Sequence, residues 1–239
     1  MAEEYRPRHA PYTVAGEGAA IDQGLRSYML RVYNYMASAT LLTGIVAMLV
    51  AQSPALLHAI FGTPLQWVVM LAPLGLVMFL GFRINRMSLG AAQLAFWGYA
   101  SLVGISLAPI LLLYTGASVA EVFFITAATF GAMSLYGYTT GRNLTGLGSF
   151  LFMGLIGIML AMVVNIFLHS AAMQFVISVI GVLIFTGLTA YDTQAIKETY
   201  SANSDGSLQK RAAIMGALRL YLDFINLFIM LMQLMGQRR

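Results

Sequence analysis

Two aspartates lie in sequence that is otherwise apolar, and they are the residues best placed to do chemistry. Asp192 ends one long apolar segment, and Asp223 lies near the middle of the next. An isolated carboxylate in an apolar environment must pair, take up a proton or face water, because burying an unpaired charge is costly. The two residues therefore indicate ion or proton chemistry. The chain has no cysteine, which excludes thiol catalysis and zinc–thiolate sites.

The segment around Asp223 carries a mostly polar stripe. Its residues recur at intervals of three or four, the period of an α-helix; they are Arg219, Asp223, Asn226, Met230 and Gln233. The rest of the segment is strongly apolar, so the stripe is predicted to lie inside a helix bundle or along a watery cavity that could form a pore. The alternative is a seam of hydrogen bonds between helices, which Asn226 and Gln233 alone could form.

Asp192 is a possible companion of Asp223, because their segments are adjacent in sequence and antiparallel. Two carboxylates brought together at low dielectric do not both ionise readily, so the pair would titrate as a unit, sharing a proton or losing it to a cation. Their oxygens make Asp192 and Asp223 candidate ligands for a hard cation such as Ca²⁺. The alternative for Asp192 is a helix-end residue in water.

Other polar residues lie at the edges of the apolar segments. Arg83 and Arg86 follow the second segment and could bind carboxylates or simply anchor the chain at the membrane surface. Glu121 opens the fourth segment, where it could cap a helix or attract cations. The histidines, which are His9, His58 and His169, have no metal-ligand spacing.

The composition places the chain in a membrane. Charged residues form 9% of its 239 residues and hydrophobic residues 59%, with a mean hydropathy of +0.79. A soluble domain carries about 25% charged residues and could not hide so much apolar surface. This argues against a soluble enzyme, a nucleic-acid binder and a disordered scaffold. The expected partner is the lipid bilayer, and no cofactor is predicted.

The apolar segments predict an all-α bundle of seven transmembrane helices, because about 20 apolar residues cross the hydrocarbon. The expected spans are Leu30–Ala51, Leu65–Phe82, Ala91–Leu113, Val119–Tyr138, Leu147–His169, Ala172–Tyr191 and Ala213–Leu234. Residues 1–28 form a polar segment whose prolines and glycines predict a mobile, non-helical tail, and residues 29–239 form one transmembrane domain. Residues Ser201–Arg211 are expected to be a solvated loop.

The basic residues predict the orientation. With the N-terminus inside, ten basic residues fall on the cytoplasmic side and only Arg238 and Arg239 fall outside. We therefore expect a cytoplasmic N-terminus and an external C-terminus. The membrane is expected to be the inner membrane of a bacterium.

Two motifs resemble the Bax-inhibitor family, also called the transmembrane Bax-inhibitor-motif family. They are the stretch from Phe185 to Lys197, which contains Tyr191-Asp192, and the stretch from Leu220 to Ile229, which reads Leu-Tyr-Leu-Asp-Phe-Ile-Asn-Leu-Phe-Ile. Weaker likeness extends through Gly104–Tyr114 and Glu121–Phe130. The resemblance runs from about Tyr28 to the end and leaves the tail uncovered.

The resemblance implies seven helices with the last surrounded by the other six, and a pH-sensitive calcium leak. Its sensor would be an aspartate pair matching Asp192 and Asp223, latched by an arginine that matches Arg83 by position, with Arg86 close to it. The leading interpretation is therefore a passive, proton-gated leak for Ca²⁺, without enzymatic activity.

One alternative comes from bacterial relatives, which include a modulator of a membrane-bound protease. A regulator of this kind would bind a protease or another membrane protein through its tail. An intramembrane aspartyl protease is disfavoured, because Leu220–Leu222 before Asp223 departs from the glycine-x-glycine pattern of those enzymes.

Overall fold

The computed structural model describes residues 13–201 and 206–239, with side chains from residue 23 onward except Asn85. This part of the chain is helical, with one isolated antiparallel bridge between Tyr114 and Arg238. The helices are α1 (Thr13–Ala51), α2 (Pro54–Phe61), α3 (Leu65–Arg83), α4 (Leu89–Leu113), α5 (Gly116–Thr139), α6 (Thr145–Leu168), α7 (Ala171–Thr199) and α8 (Gly206–Met235). A 3₁₀ turn over Ile84–Arg86 follows α3.

Seven of these helices are long and apolar enough to cross a membrane, which confirms the predicted class of fold. The exception is α2, which has eight residues and lies between α1 and α3, where the sequence predicted only a turn. It begins at Pro54, directly after Ser53, whose side chain accepts a hydrogen bond from the backbone N–H of Leu56. A serine cap followed by proline is a common start of a helix.

The last helix, α8, forms the centre of the bundle. Of its most apolar 18-residue window 67% is buried, against 33% or less for every other span. It packs directly on α1, α4, α5 and α7, whereas α3 packs chiefly on α4 and α6 chiefly on α7. The predicted central position of the last helix is therefore confirmed, but four helices rather than six make most of the contacts around it.

The tail differs from its prediction, because α1 begins at Thr13 and not near residue 29. The expectation of a non-helical segment is therefore wrong for residues 13–28, and residues 1–12 lie outside the described part. The physical reason is packing beyond the apolar span. Tyr28 is buried and its ring lies 5.6 Å from that of Tyr200, while Gly24 has no β-carbon to collide with the Tyr200 hydroxyl.

The predicted loop at Ser201–Arg211 is also shorter than expected, because α8 begins at Gly206. Arg211 lies in the first turns of α8 and donates a hydrogen bond of 3.0 Å to the carbonyl of Met87, beyond α3. On the same face Lys197 donates to the carbonyl of Tyr138 over 2.8 Å. The basic residues of three turns are thus gathered on one face of the bundle, as the sequence predicted.

Small residues allow the helices to approach closely. A β-carbon on Gly148 would collide with the Tyr191 ring, and one on Gly154 with Ile184, so both glycines are needed where α6 meets α7. Gly137 of α5 lies directly against the backbone of Ala190 in α7. Close packing of this kind drives association in lipid, where the hydrophobic effect between helices is absent.

We expect Gly137→Ala to destabilise the protein by about 1–3 kcal/mol, because the added methyl must push α5 away from the α7 backbone. Gly131→Ala on the same helix is the control, since a β-carbon there meets open space. Alanine has the better helix propensity, so the control should be neutral or slightly stabilising. Thermal unfolding of the two variants in detergent measures the difference, and equal melting temperatures would contradict the packing argument.

Candidate functional site

The site lies on the seam between α7 and α8, which run antiparallel. Gly181 of α7 packs against Met230 of α8, and Gly216 of α8 packs against Ile196 of α7. These two contacts fix the register of the helices along their length. Asp192 and Asp223 lie between them, so the backbone brings the two carboxyl groups to the same level.

The carboxyl groups of Asp192 and Asp223 lie close enough to interact with each other. Asp223 is 5% exposed, and its second oxygen, Oδ2, is buried without a partner among the described residues, while Asp192 is half-buried. A hydrogen bond between two carboxyl groups requires a proton on one of them, since an ionised carboxylate only accepts. Such a hydrogen bond can form between Asp192 and Asp223 only while the pair holds a proton.

The alternative of Asp192 as a helix-end residue is wrong, because α7 continues to Thr199. The apolar span does end near Tyr191, but the helix extends two further turns into polar sequence. Hydropathy sets where a helix leaves the hydrocarbon and not where its hydrogen bonding stops. Asp192 therefore lies inside α7, with helical residues before and after it.

Arg219 lies one turn before Asp223 on α8, and its side chain is exposed, with no ion pair to either aspartate among the described residues. Its charge acts on both carboxyl groups and on the Tyr28 hydroxyl of α1. Arg83 lies at the exposed end of α3, and the described part of the chain gives it no hydrogen bond or ion pair. Arg86 is exposed as well. The sequence placed Arg219 only on the polar stripe, although its spacing of four from Asp223 is the signal that would have identified it.

The polar stripe of α8 divides into two parts. At one end Gln233 accepts hydrogen bonds from Gln174 over 2.7 Å and from Ser178 over 2.8 Å. This end of the stripe is therefore a seam of hydrogen bonds between α7 and α8. Nearer the aspartates, Asn226 donates to the carbonyl of Leu222 in its own helix over 2.8 Å. Thr186 of α7 has a buried hydroxyl with no partner in the described residues. Two of the three buried polar side-chain atoms without a partner in the described residues thus belong to Thr186 and Asp223, on the facing helices α7 and α8, and the third is Nε of Arg211.

A hydrogen-bonded chain beside Asp192 was not predicted. The Tyr33 hydroxyl lies 2.7 Å from the Ser134 hydroxyl, which lies 2.9 Å from that of Thr193, and Thr193 donates to the Thr189 carbonyl over 2.7 Å. The chain joins α1, α5 and α7 next to the pair. Tyr33 and Ser134 are remote from Thr193 in the chain, so the sequence alone gave no signal for this contact.

Gln194 is a second residue that the sequence did not single out. Its side chain accepts from the backbone N–H of Leu144 and donates to the carbonyl of Arg142, both over 2.8 Å. These bonds satisfy backbone groups in the turn between α5 and α6. They hold this turn against α7, two residues from Asp192.

Glu121 lies in the second turn of α5 and is exposed. The expectation that it caps this helix is wrong, because α5 begins three residues earlier than predicted and Thr115 occupies the cap. The Thr115 hydroxyl accepts a hydrogen bond from the backbone N–H of Ser118. Glu121 is therefore an exposed side chain on α5 and not its cap.

Comparison with known proteins identifies the family. Residues 25–239 match the family described as Inhibitor of apoptosis-promoting Bax1. The chain belongs to the Bax-inhibitor family. The chain is 48% identical over 227 residues to the Rickettsia prowazekii protein RP147, covering 95% of this chain and 96% of that protein. It is 46% identical over 219 residues to the inner membrane protein YbhL of Escherichia coli, covering 90% and 94%. This Bax-inhibitor family member is accordingly an integral membrane protein.

A resident metal site is not evident in this Bax-inhibitor family member. The described residues contain no group of three or more histidine, cysteine, aspartate or glutamate side chains that could hold an ion. Calcium takes six to eight oxygen ligands, and Asp192 and Asp223 supply too few of them.

We expect Asp192→Ala and Asp223→Ala to be coupled by about 1 kcal/mol in a double-mutant cycle, because each removes the same interaction. The free energy of unfolding in detergent is the measured quantity. Glu121→Ala combined with Asp223→Ala is the control and should be additive within about 0.5 kcal/mol. Additive effects for the aspartate pair would show that the carboxyl groups do not interact.

Proposed function

We propose that this Bax-inhibitor family member is a passive leak for Ca²⁺, gated by protonation of Asp192 and Asp223. The observation that supports it is the juxtaposition of two carboxyl groups within membrane spans, one of them buried in the bundle. Ionisable residues at such depth commonly mark ion or proton paths. The site would lie in a bacterial inner membrane, with the N-terminus in the cytoplasm.

The gating step follows from the charge on the pair. While the pair holds a proton, the hydrogen bond joins α7 to α8 and the seam is closed. When the proton is lost, two negative charges face each other across the same seam, and their repulsion favours separation or the entry of a cation. A leak controlled in this way opens as the pH rises through the titration of the pair.

The ion path would follow the polar stripe of α8. The unpaired oxygens near Asp223 lie at its centre, and Asn226 follows on the same face. Gln233 stands at one end of the stripe in a hydrogen-bonded cluster that must rearrange for an ion to pass. Glu121, exposed on α5, would attract cations to that end of the bundle.

Two arginines can act on the pair at different times. Arg219 acts on it in the present arrangement. For Arg83 to act as a latch, α3 must shift. Together with α6, α3 is the least restrained of the spanning helices. Of its 19 residues only Val69 and Leu80 are buried, and it packs chiefly on α4.

The double variant Asp192→Asn, Asp223→Asn should lose the pH dependence of calcium flux, because neither amide titrates. The measurement is Ca²⁺ entry into liposomes containing the purified protein across a series of pH values. Glu121→Gln, which removes an acid away from the pair, should keep the pH dependence. A normal pH response in the double variant would rule out the aspartates as the sensor.

Arg219→Gln should move the midpoint of the pH response upward by about one pH unit, because a nearby positive charge stabilises the ionised carboxylates. Arg83→Gln should leave the midpoint nearly unchanged and alter the flux through the closed form. The same liposome assay compares the two variants. A shifted midpoint in Arg83→Gln with none in Arg219→Gln would assign the cation to α3 instead.

A further inference from the structure

A cavity that neither aspartate lines lies between α1 and α5. It has a volume of about 580 Å³ and is lined by α1, α4, α5 and α8. Its lining residues include Ala47, Ile110, Ala120 and Phe228. We call it the lateral groove. Its volume lies within the range of about 300–1,000 Å³ that is usual for small-molecule sites.

The lateral groove opens toward the lipid. Met48 of α1, Leu112 of α4 and Phe124 of α5 line it and are 54%, 42% and 70% exposed. Along α1 the lining runs from Thr40 to Ala51, a length of ~17 Å at 1.5 Å per residue. This is close to half of the ~30 Å hydrocarbon core. The groove therefore has the length of one leaflet.

The polarity of the groove changes along its length. Toward the bundle centre its floor consists of Phe224, Ile225 and Phe228 of α8. At the end of α1, where the helix leaves the hydrocarbon, the lining includes Gln52 and Arg239. An apolar channel with a cation at its mouth matches a molecule that has a hydrocarbon chain and an anionic head.

Arg239 is held at this mouth by the backbone. Its N–H donates to the carbonyl of Leu113 over 3.0 Å, and the N–H of Thr115 donates to the carbonyl of Gln237 over 2.9 Å. The N–H of Gln237 also donates to the Ser118 hydroxyl over 2.9 Å. Residues 237–239 are thus fixed against the turn between α4 and α5, which keeps Arg239 at the mouth of the groove.

We propose that the lateral groove binds one acyl chain of an anionic phospholipid from the adjacent leaflet, with Arg239 contacting the headgroup phosphate. This site is separate from the proposed ion path and does not depend on it. The bound chain lies against Phe224, the residue next to Asp223. The lipid therefore braces the central helix at the level of the aspartate pair.

Native mass spectrometry of the full chain in detergent tests the binding, with palmitoyl-oleoyl phosphatidylglycerol and the phosphatidylcholine of the same chains as probes. The wild-type protein should retain phosphatidylglycerol at about fivefold lower lipid concentration, since one basic residue near an anionic headgroup contributes about that factor. Arg239→Gln should lose this preference while still retaining one lipid. Equal retention of both lipids by the wild type would overturn the proposed headgroup contact.

Gly44→Leu tests the acyl channel, because Gly44 lines the groove and a β-carbon there meets open space. Gly75→Leu is the matched control, as that glycine is exposed on α3, outside the groove, and also faces open space. Gly44→Leu should lose the retained lipid and Gly75→Leu should keep it, with both variants monodisperse and equally heat-stable. Equal lipid retention in the two variants would overturn the proposal. A mass corresponding to a dimer without lipid would also overturn it, because a second copy of the chain would then occupy the groove.

Discussion

Asp223 is a carboxyl group buried at the centre of a helical bundle, and its burial beside Asp192 is the constraint on which the surrounding structure depends. In a low-dielectric interior, the free energy of burying an unpaired charge would exceed the net stability of a single domain. The helix that carries Asp223 must therefore lie where a second polar helix can reach it. The glycines at both ends of the α7–α8 seam make this approach possible, because they let the backbones come close at either side of the pair.

The same constraint explains the arrangement around the seam. Arg219 places a positive charge one turn from Asp223, and the chain of hydroxyls from Tyr33 to Thr193 ties α1 and α5 to α7 beside Asp192. Gln194 fixes the neighbouring turn. Contacts of this kind hold the central part of the bundle, whereas α3 and α6 lie at its edge with few buried residues. A bundle with a firmly held centre and a loosely packed edge can change shape without losing its fold.

Much of the fold was predictable from the sequence because lipid imposes a simple requirement on length and polarity. The centres of the seven spans, the gathering of basic residues on one face and the central position of the last helix all follow from where apolar runs and polar residues lie. The helix ends were less predictable. Those of α1 and α7 extend beyond the hydrocarbon, because Tyr28 and Tyr200 pack against each other there and no hydropathy signal reports such a contact.

The sequence by itself determined the class of fold and the family, and it singled out Asp192 and Asp223, since both motifs are local and an acid in an apolar run is rare. Only the tertiary structure brought the two carboxyl groups together across the α7–α8 seam, placed Arg83 at an exposed helix end and showed that Thr115, and not Glu121, caps α5. It also produced the lateral groove, whose walls come from four helices and residue 239. These features depend on contacts between helices that are distant in the chain. The pattern of residues along the sequence does not show which of these helices are in contact.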